Sequence, residues 1–169
     1  GNYKINLDDE KWELISKGFG HVDSNSKNYL NEYEKNIFSQ NGEDGVLAKI
    51  IDQLGTINKY YVEFGGWDGE RYSNTRNLGK YHGWKGVLFE NDYKKVKIGR
   101  KKGIKNIFLR TITPNNINKI FKNFNVPYNF GLLSIDIDGD DYWVWKSLTN
   151  YRPVIVILET HPAIPNKYP

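Results

Sequence analysis

Two stretches in the C-terminal half, Leu132-Leu133-Ser134-Ile135 and Val154-Ile155-Val156-Ile157-Leu158, are almost unbroken apolar runs. They lack the in–out alternation of a strand with one wet face, so each reads as a strand covered on both faces. Three more strand-like segments precede them, at Tyr60–Phe64, Gly86–Glu90 and Asn106–Arg110, and the last two strands span Gly131–Ile135 and Pro153–Leu158. Helical stretches separate them: Ser73–Tyr81, Asp92–Lys102, a segment opened by Pro114 with Ile117, Ile120, Phe121 and Phe124 on one face, and Asp141–Leu148. Strands alternating with helices form βαβ units, so the chain is expected to be an α/β protein with a parallel sheet.

Ahead of the first strand, Val46, Leu47, Ile50, Ile51 and Leu54 recur at helical spacing, and Gly55 closes that helix. The cap-forming residues Ser39, Asn41 and Asp44 stand before it. Residues 1–38 hold two further helix-like stretches, one after Asp8-Asp9-Glu10 and one over Tyr29–Phe38, and read as a helical N-terminal cap on a domain of residues 39–169.

The 169 residues suffice for one such domain and not two. With no cysteine, disulfides and cysteine-based zinc sites are excluded. No apolar run is long enough for a membrane span and no secretory signal opens the chain, which points to the cytoplasm. The net charge of +4 is 24 Lys and Arg against 20 Asp and Glu, and the basic residues are 19 Lys and only 5 Arg. That bias, with abundant Asn and Ile, reflects an AT-rich genome more than a surface for nucleic acid. The run Lys94, Lys95, Lys97, Arg100, Lys101, Lys102 and Lys105 is a solvated helix face on the plain reading and a docking face for an anionic substrate, such as a nucleotide sugar, on the sharper one.

Four motifs carry chemistry, all at the carboxyl ends of strands, where open α/β sheets bind ligands. Val62-Glu63-Phe64-Gly65-Gly66-Trp67-Asp68-Gly69 leaves the first strand through three glycines, which permit a tight turn and a close ligand approach. Its spacing is not that of dinucleotide folds. Glu90 ends the second strand, about 20 residues on, where a carboxylate accepts hydrogen bonds from ribose hydroxyls; Asp92 competes for that role. Asp136-Ile137-Asp138-Gly139-Asp140-Asp141 crowds four acids at the end of the fourth strand. Asp136 and Asp138 suit a hard cation such as Mg²⁺, while Asp140 and Asp141 are read as helix caps. Glu159-Thr160-His161-Pro162 ends the fifth strand, with Glu159 a candidate metal ligand and His161 a candidate base or an ordinary surface histidine.

In order and spacing these segments resemble the FkbM-type methyltransferases, from about Phe38 to Pro162. Ser39-Gln40-Asn41-Gly42-Glu43-Asp44-Gly45, the glycine turn, Glu90, Leu132–Gly139 and Tyr151-Arg152-Pro153 carry the resemblance. It implies a Rossmann-like three-layer αβα sandwich with strand order 3-2-1-4-5, and S-adenosylmethionine as cofactor. It also implies methyl transfer to a hydroxyl of a sugar or glycosylated small molecule, in some relatives with Mg²⁺. The cofactor residues it implies are Gln40, Glu63, Gly65, Gly66, Asp68, Gly69, Glu90, Asn91, Thr111 and Asp136. Asp136, Asp138 and His161 would act in catalysis, and Asp136, Asp138 and Glu159 would hold a metal.

Class I methyltransferases carry seven strands, and five are legible here. The missing pair leaves the Val154–Leu158 run at an edge, so either the natural protein continues past Pro169 or a second copy or another domain covers that strand. The rival functions are a non-catalytic or truncated cofactor-binding or assembly module, and a nucleic-acid methyltransferase. The latter is disfavoured because the fourth strand ends in Asp-Ile-Asp-Gly and not in Asn/Asp-Pro-Pro-aromatic.

Overall fold

A computed structural model describes residues 30–137 and 139–159. Contacts divide the chain after Glu32, and residues 33–159 hold the whole sheet. Five parallel strands, β1 (Tyr60–Phe64), β2 (Lys85–Glu90), β3 (Ile107–Leu109), β4 (Leu132–Ile135) and β5 (Ile155–Leu158), stand in the order β3-β2-β1-β4-β5. The strand order reverses between β1 and β4, with Phe64 level with both Phe89 and Ile135. This is a Rossmann-like α/β sandwich.

A short 3-10 helix spans Asn31–Tyr33, and the α-helices among the described residues are α1 (Glu43–Leu54), α2 (Arg76–Tyr81), α3 (Tyr93–Lys101), α4 (Ile117–Asn123) and α5 (Asp141–Lys146). They cover both faces, as the apolar strands require. On one face Val62, Phe64, Val87, Phe89, Leu133 and Ile135 meet Ile117 and Phe121 of α4 and Val144 of α5. On the other, Tyr61, Leu88, Leu132 and Ile155 meet Leu47 of α1, Leu78 of α2 and Val96 of α3. Successive strand residues fall on opposite faces, as the pleat dictates. Glu63, Ser134 and Glu90 are therefore placed on the α1–α3 face.

Four helices are shorter than their sequence patterns, α3 only by its two capping residues, Asp92 and Lys102. Ser73–Thr75, expected to open α2, instead spend their polar groups on Glu63. Pro114 lies in a turn before α4, closed by Thr113 N–H to Asn116 Oδ1 at 2.9 Å. Leu148 lies past the end of α5. Residues 34–38, read as helix, are irregular. Their backbone is drawn onto Asp44, whose Oδ2 accepts the N–H groups of Ile37, Phe38 and Ser39 at 2.7–2.8 Å and the Ser39 hydroxyl at 2.8 Å. Asp44 thus ties residues 37–39 to α1 instead of capping it; the N-cap is Gly42, in a left-handed conformation with φ +92°. Residues 1–29, which include the first N-terminal helical stretch, lie outside the described residues. No described helix is long and apolar enough to cross a membrane.

Candidate functional site

The chain leaves β1 through Gly65-Gly66-Trp67-Asp68-Gly69, closed by Gly65 N–H to Phe89 O at 3.1 Å and Gly69 N–H to Gly66 O at 2.8 Å. Gly65 has φ +75°, and a Cβ there would overlap the carbonyl oxygen of Asp136 at the end of β4. A Cβ on Gly66 would press on the Glu63 carboxyl at 2.7 Å. The sequence suggests that these glycines clear a path for a ligand. The geometry gives a prior reason: a side chain at Gly65 has no room beside the Asp136 carbonyl, and one at Gly66 has none beside the Glu63 carboxyl.

Two residues assigned to the cofactor have side chains committed elsewhere. Glu63 is 1% exposed. Its carboxylate accepts the Ser73 and Thr75 hydroxyls, both at 2.6 Å, and the Asn74 N–H at 2.7 Å. Burial pushes its carboxyl up from the ordinary value, against the pull of these hydrogen bonds. Glu63 is a brace for the 73–75 loop, and Asn74 Nδ2 extends that brace to Ser134 Oγ on β4 at 3.1 Å. Asp68 is buried as well. It accepts the N–H groups of Glu70 and Arg71 at 3.0 and 2.9 Å and Lys102 Nζ at 2.7 Å. Burial raises its pKa, but Lys102 and the two N–H donors outweigh that and hold it below the usual value.

Glu90 differs. It is 3% exposed at the carboxyl end of β2; Oε1 accepts the Asp92 N–H at 2.9 Å, and Oε2 is buried with no hydrogen-bond partner among the described residues. A buried carboxylate oxygen without a donor is costly, and a ligand hydroxyl would satisfy it. Asp92, its competitor, caps α3 through Lys94 N–H at 2.7 Å. Asn91 and Thr111 are exposed just past β2 and β3, on the same edge of the sheet as the glycine turn.

A cleft of about 70 Å³ opens at the carboxyl ends of β4 and β5. It brings together Gln40, Asp136 and Glu159, three of the residues chosen from sequence. Asn41, Glu43, Tyr72 and Asn74 share its walls and were not chosen. One signal for Asn74 was legible: Ser-Asn-Thr follows an acid ending in a glycine turn, a spacing that lets two hydroxyls fold back on it. Asp141, read as a helix cap, instead pins the turn after Asp136, accepting the N–H groups of Ile137 and Gly139 at 3.0 and 2.9 Å.

Asp138 and His161 lie outside the described residues. Among the described residues, no three His, Cys, Asp or Glu side chains are grouped to hold a metal. Asp136 and Glu159 share the cleft but do not by themselves make a Mg²⁺ site.

No family model matches the chain, and no curated protein matches it. Among solved structures, one that it resembles is a SAM dependent methyltransferase from Aquifex aeolicus, with 15% identity and a TM-score of 0.38. The alignment covers 63% of this chain, which spans 57% of that protein. A likeness of that size assigns no function.

Proposed function

We propose that this chain is an S-adenosylmethionine-dependent methyltransferase acting on a hydroxyl, with a sugar or glycosylated small molecule as acceptor. The observation that carries the reading is Oε2 of Glu90 on the ligand edge of the sheet, buried and without a partner among the described residues. A nucleoside's ribose hydroxyls supply the donors it lacks. When bound, the cofactor supplies an electrophilic methyl on sulfur.

The protein's own part is to hold and to deprotonate. Glu90 accepts the ribose hydroxyls. Gln40 and Asn41 line the cleft from the segment leading into α1. Asp136, half-buried in that cleft, accepts the proton of the acceptor hydroxyl as it attacks. Such positioning accounts for a large share of catalysis in a simple displacement. His161 remains the alternative base. A magnesium-assisted version needs Asp138 as a third donor beside Asp136 and Glu159, and no step is assigned to a metal. As domains, the proposal keeps a helical N-terminal segment ahead of the cofactor-binding unit.

Titration with S-adenosylhomocysteine is the test. Binding by the wild type, weakened in Glu90→Ala, supports the reading. Equal affinity in the two removes Glu90 from the site.

A further inference from the structure

Two aromatic residues in the loop after β1 hold backbone conformations that bulky side chains avoid: Trp67 at φ +53° and Tyr72 at φ +63°. Such conformations persist where the surrounding structure enforces them, and they concentrate at ligand sites. Both rings are more than a third exposed, at 39% and 36%, and they meet edge to face with centroids 6.2 Å apart. Tyr72 also lines the cleft that holds Asp136 and Glu159. The aromatic pair therefore extends the cleft outward across the surface.

Each ring carries a cation. Lys95 Nζ lies 4.1 Å from the Trp67 centroid, and the Arg71 guanidinium lies 4.6 Å from that of Tyr72. Arg71 also donates to the Tyr72 hydroxyl at 2.6 Å. The neighbouring cations are neutralised: Lys102 pairs with Asp68 and Glu70, and Arg76 with Glu70. Among the described residues, Arg71 and Lys95 have no carboxylate partner. Two cations held on exposed rings, without a carboxylate partner among the described residues, are placed to receive an anion.

We infer that Trp67, Tyr72, Arg71 and Lys95 form the acceptor platform, and that the acceptor is a ring compound carrying a phosphate. The ring lies along Tyr72 toward Asp136, and the phosphate is taken by Arg71 and Lys95. The inference rests on the proposed methyl transfer only for the reaction at the far end of the cleft; the platform binds its ligand whether or not a cofactor is present.

The test is calorimetry on the full chain with three probes: glucose 1-phosphate, methyl glucoside and S-adenosylhomocysteine. Trp67→Gly and Tyr72→Gly remove the rings and relieve the left-handed backbone, so the loop retains its course. Glucose 1-phosphate is expected to bind at least about tenfold more tightly than methyl glucoside, and to lose about tenfold in each glycine variant. Lys95→Gln and Arg71→Gln should narrow the gap between the two sugars, and S-adenosylhomocysteine affinity should be unchanged in Lys95→Gln. Failure of the wild type to bind glucose 1-phosphate or to separate the two sugars, or variants that bind it as the wild type does, overturns the platform. Should glucose 1-phosphate bind as described and S-adenosylhomocysteine not bind, the platform stands and the methyltransferase reading falls.

Discussion

Gly65 and Asp136 touch backbone to backbone: the space a Cβ would need on Gly65 is taken by the carbonyl oxygen of Asp136. This contact joins the turn after β1 to the end of β4, where Asp136 lines the cleft. Gly65→Ala is expected to destabilise the fold by more than about 2 kcal/mol, because the clash adds to the cost of a left-handed alanine. Gly103→Ala is the control, with φ +86° and nothing within 4 Å of its Cβ position, and should cost about 1 kcal/mol. Denaturant midpoints for the two variants check this, and equal losses would remove the contact from the account.

Glu63 should leave a mark on the pH dependence of stability. Its pKa in the fold is raised above the ordinary 4.5 by burial, so the folded state holds the proton more tightly than the unfolded chain. The stability this contributes is fully present below pH 4.5 and is lost as pH rises through the folded pKa. In Glu63→Gln that decline should vanish. Urea unfolding of both proteins from about pH 4 upward measures it, and parallel profiles would contradict it.

Asp68 should act in the opposite sense. Its pKa lies below the ordinary 3.8, so its contribution is present above that value and lost as pH falls through the lowered one. Lys102→Met leaves a buried carboxylate with only two backbone donors. The Lys102 side chain is 40% exposed and solvent screens the pair, so the loss at neutral pH should be about 1 kcal/mol. It should shrink on acidification, which thermal melts at about pH 7 and about pH 3 would show.

Among the described residues β5 pairs on one side only, with β4, and Val154 beside it is 46% exposed. An apolar edge strand invites pairing with another chain. Sedimentation is expected to show self-association rising with concentration. A single monomeric species throughout would show that this edge is protected.

The fold was more legible than the site, for a physical reason. Parallel strands are buried on both faces, so β4 and β5 announce themselves as apolar runs, and β1 spans the five residues read from the sequence. Helix starts were read too early wherever polar residues serve distant groups. Ser73 and Thr75 look like a helix opening, yet they are held by Glu63, ten and twelve residues back. The same cause blurred the site. Glu63, Asp68 and Glu90 are all acids near strand ends, and sequence position cannot tell which carboxylate the fold consumes. Only the three-dimensional donors separate them: two are taken up inside the loop, and Glu90 keeps one oxygen without a partner among the described residues. Trp67 and Tyr72 gave no local sign of their left-handed backbone, since that geometry normally belongs to glycine.

The most direct measurement of the central claim is the affinity of S-adenosylhomocysteine for the wild type and for Glu90→Ala, by calorimetry at neutral pH. The account predicts that the wild type binds it and does not bind NAD, and that the variant binds more weakly by about 1–3 kcal/mol, as expected when hydrogen bonds to a charged group are lost. A wild-type chain that folds and shows no heat with S-adenosylhomocysteine would contradict the claim.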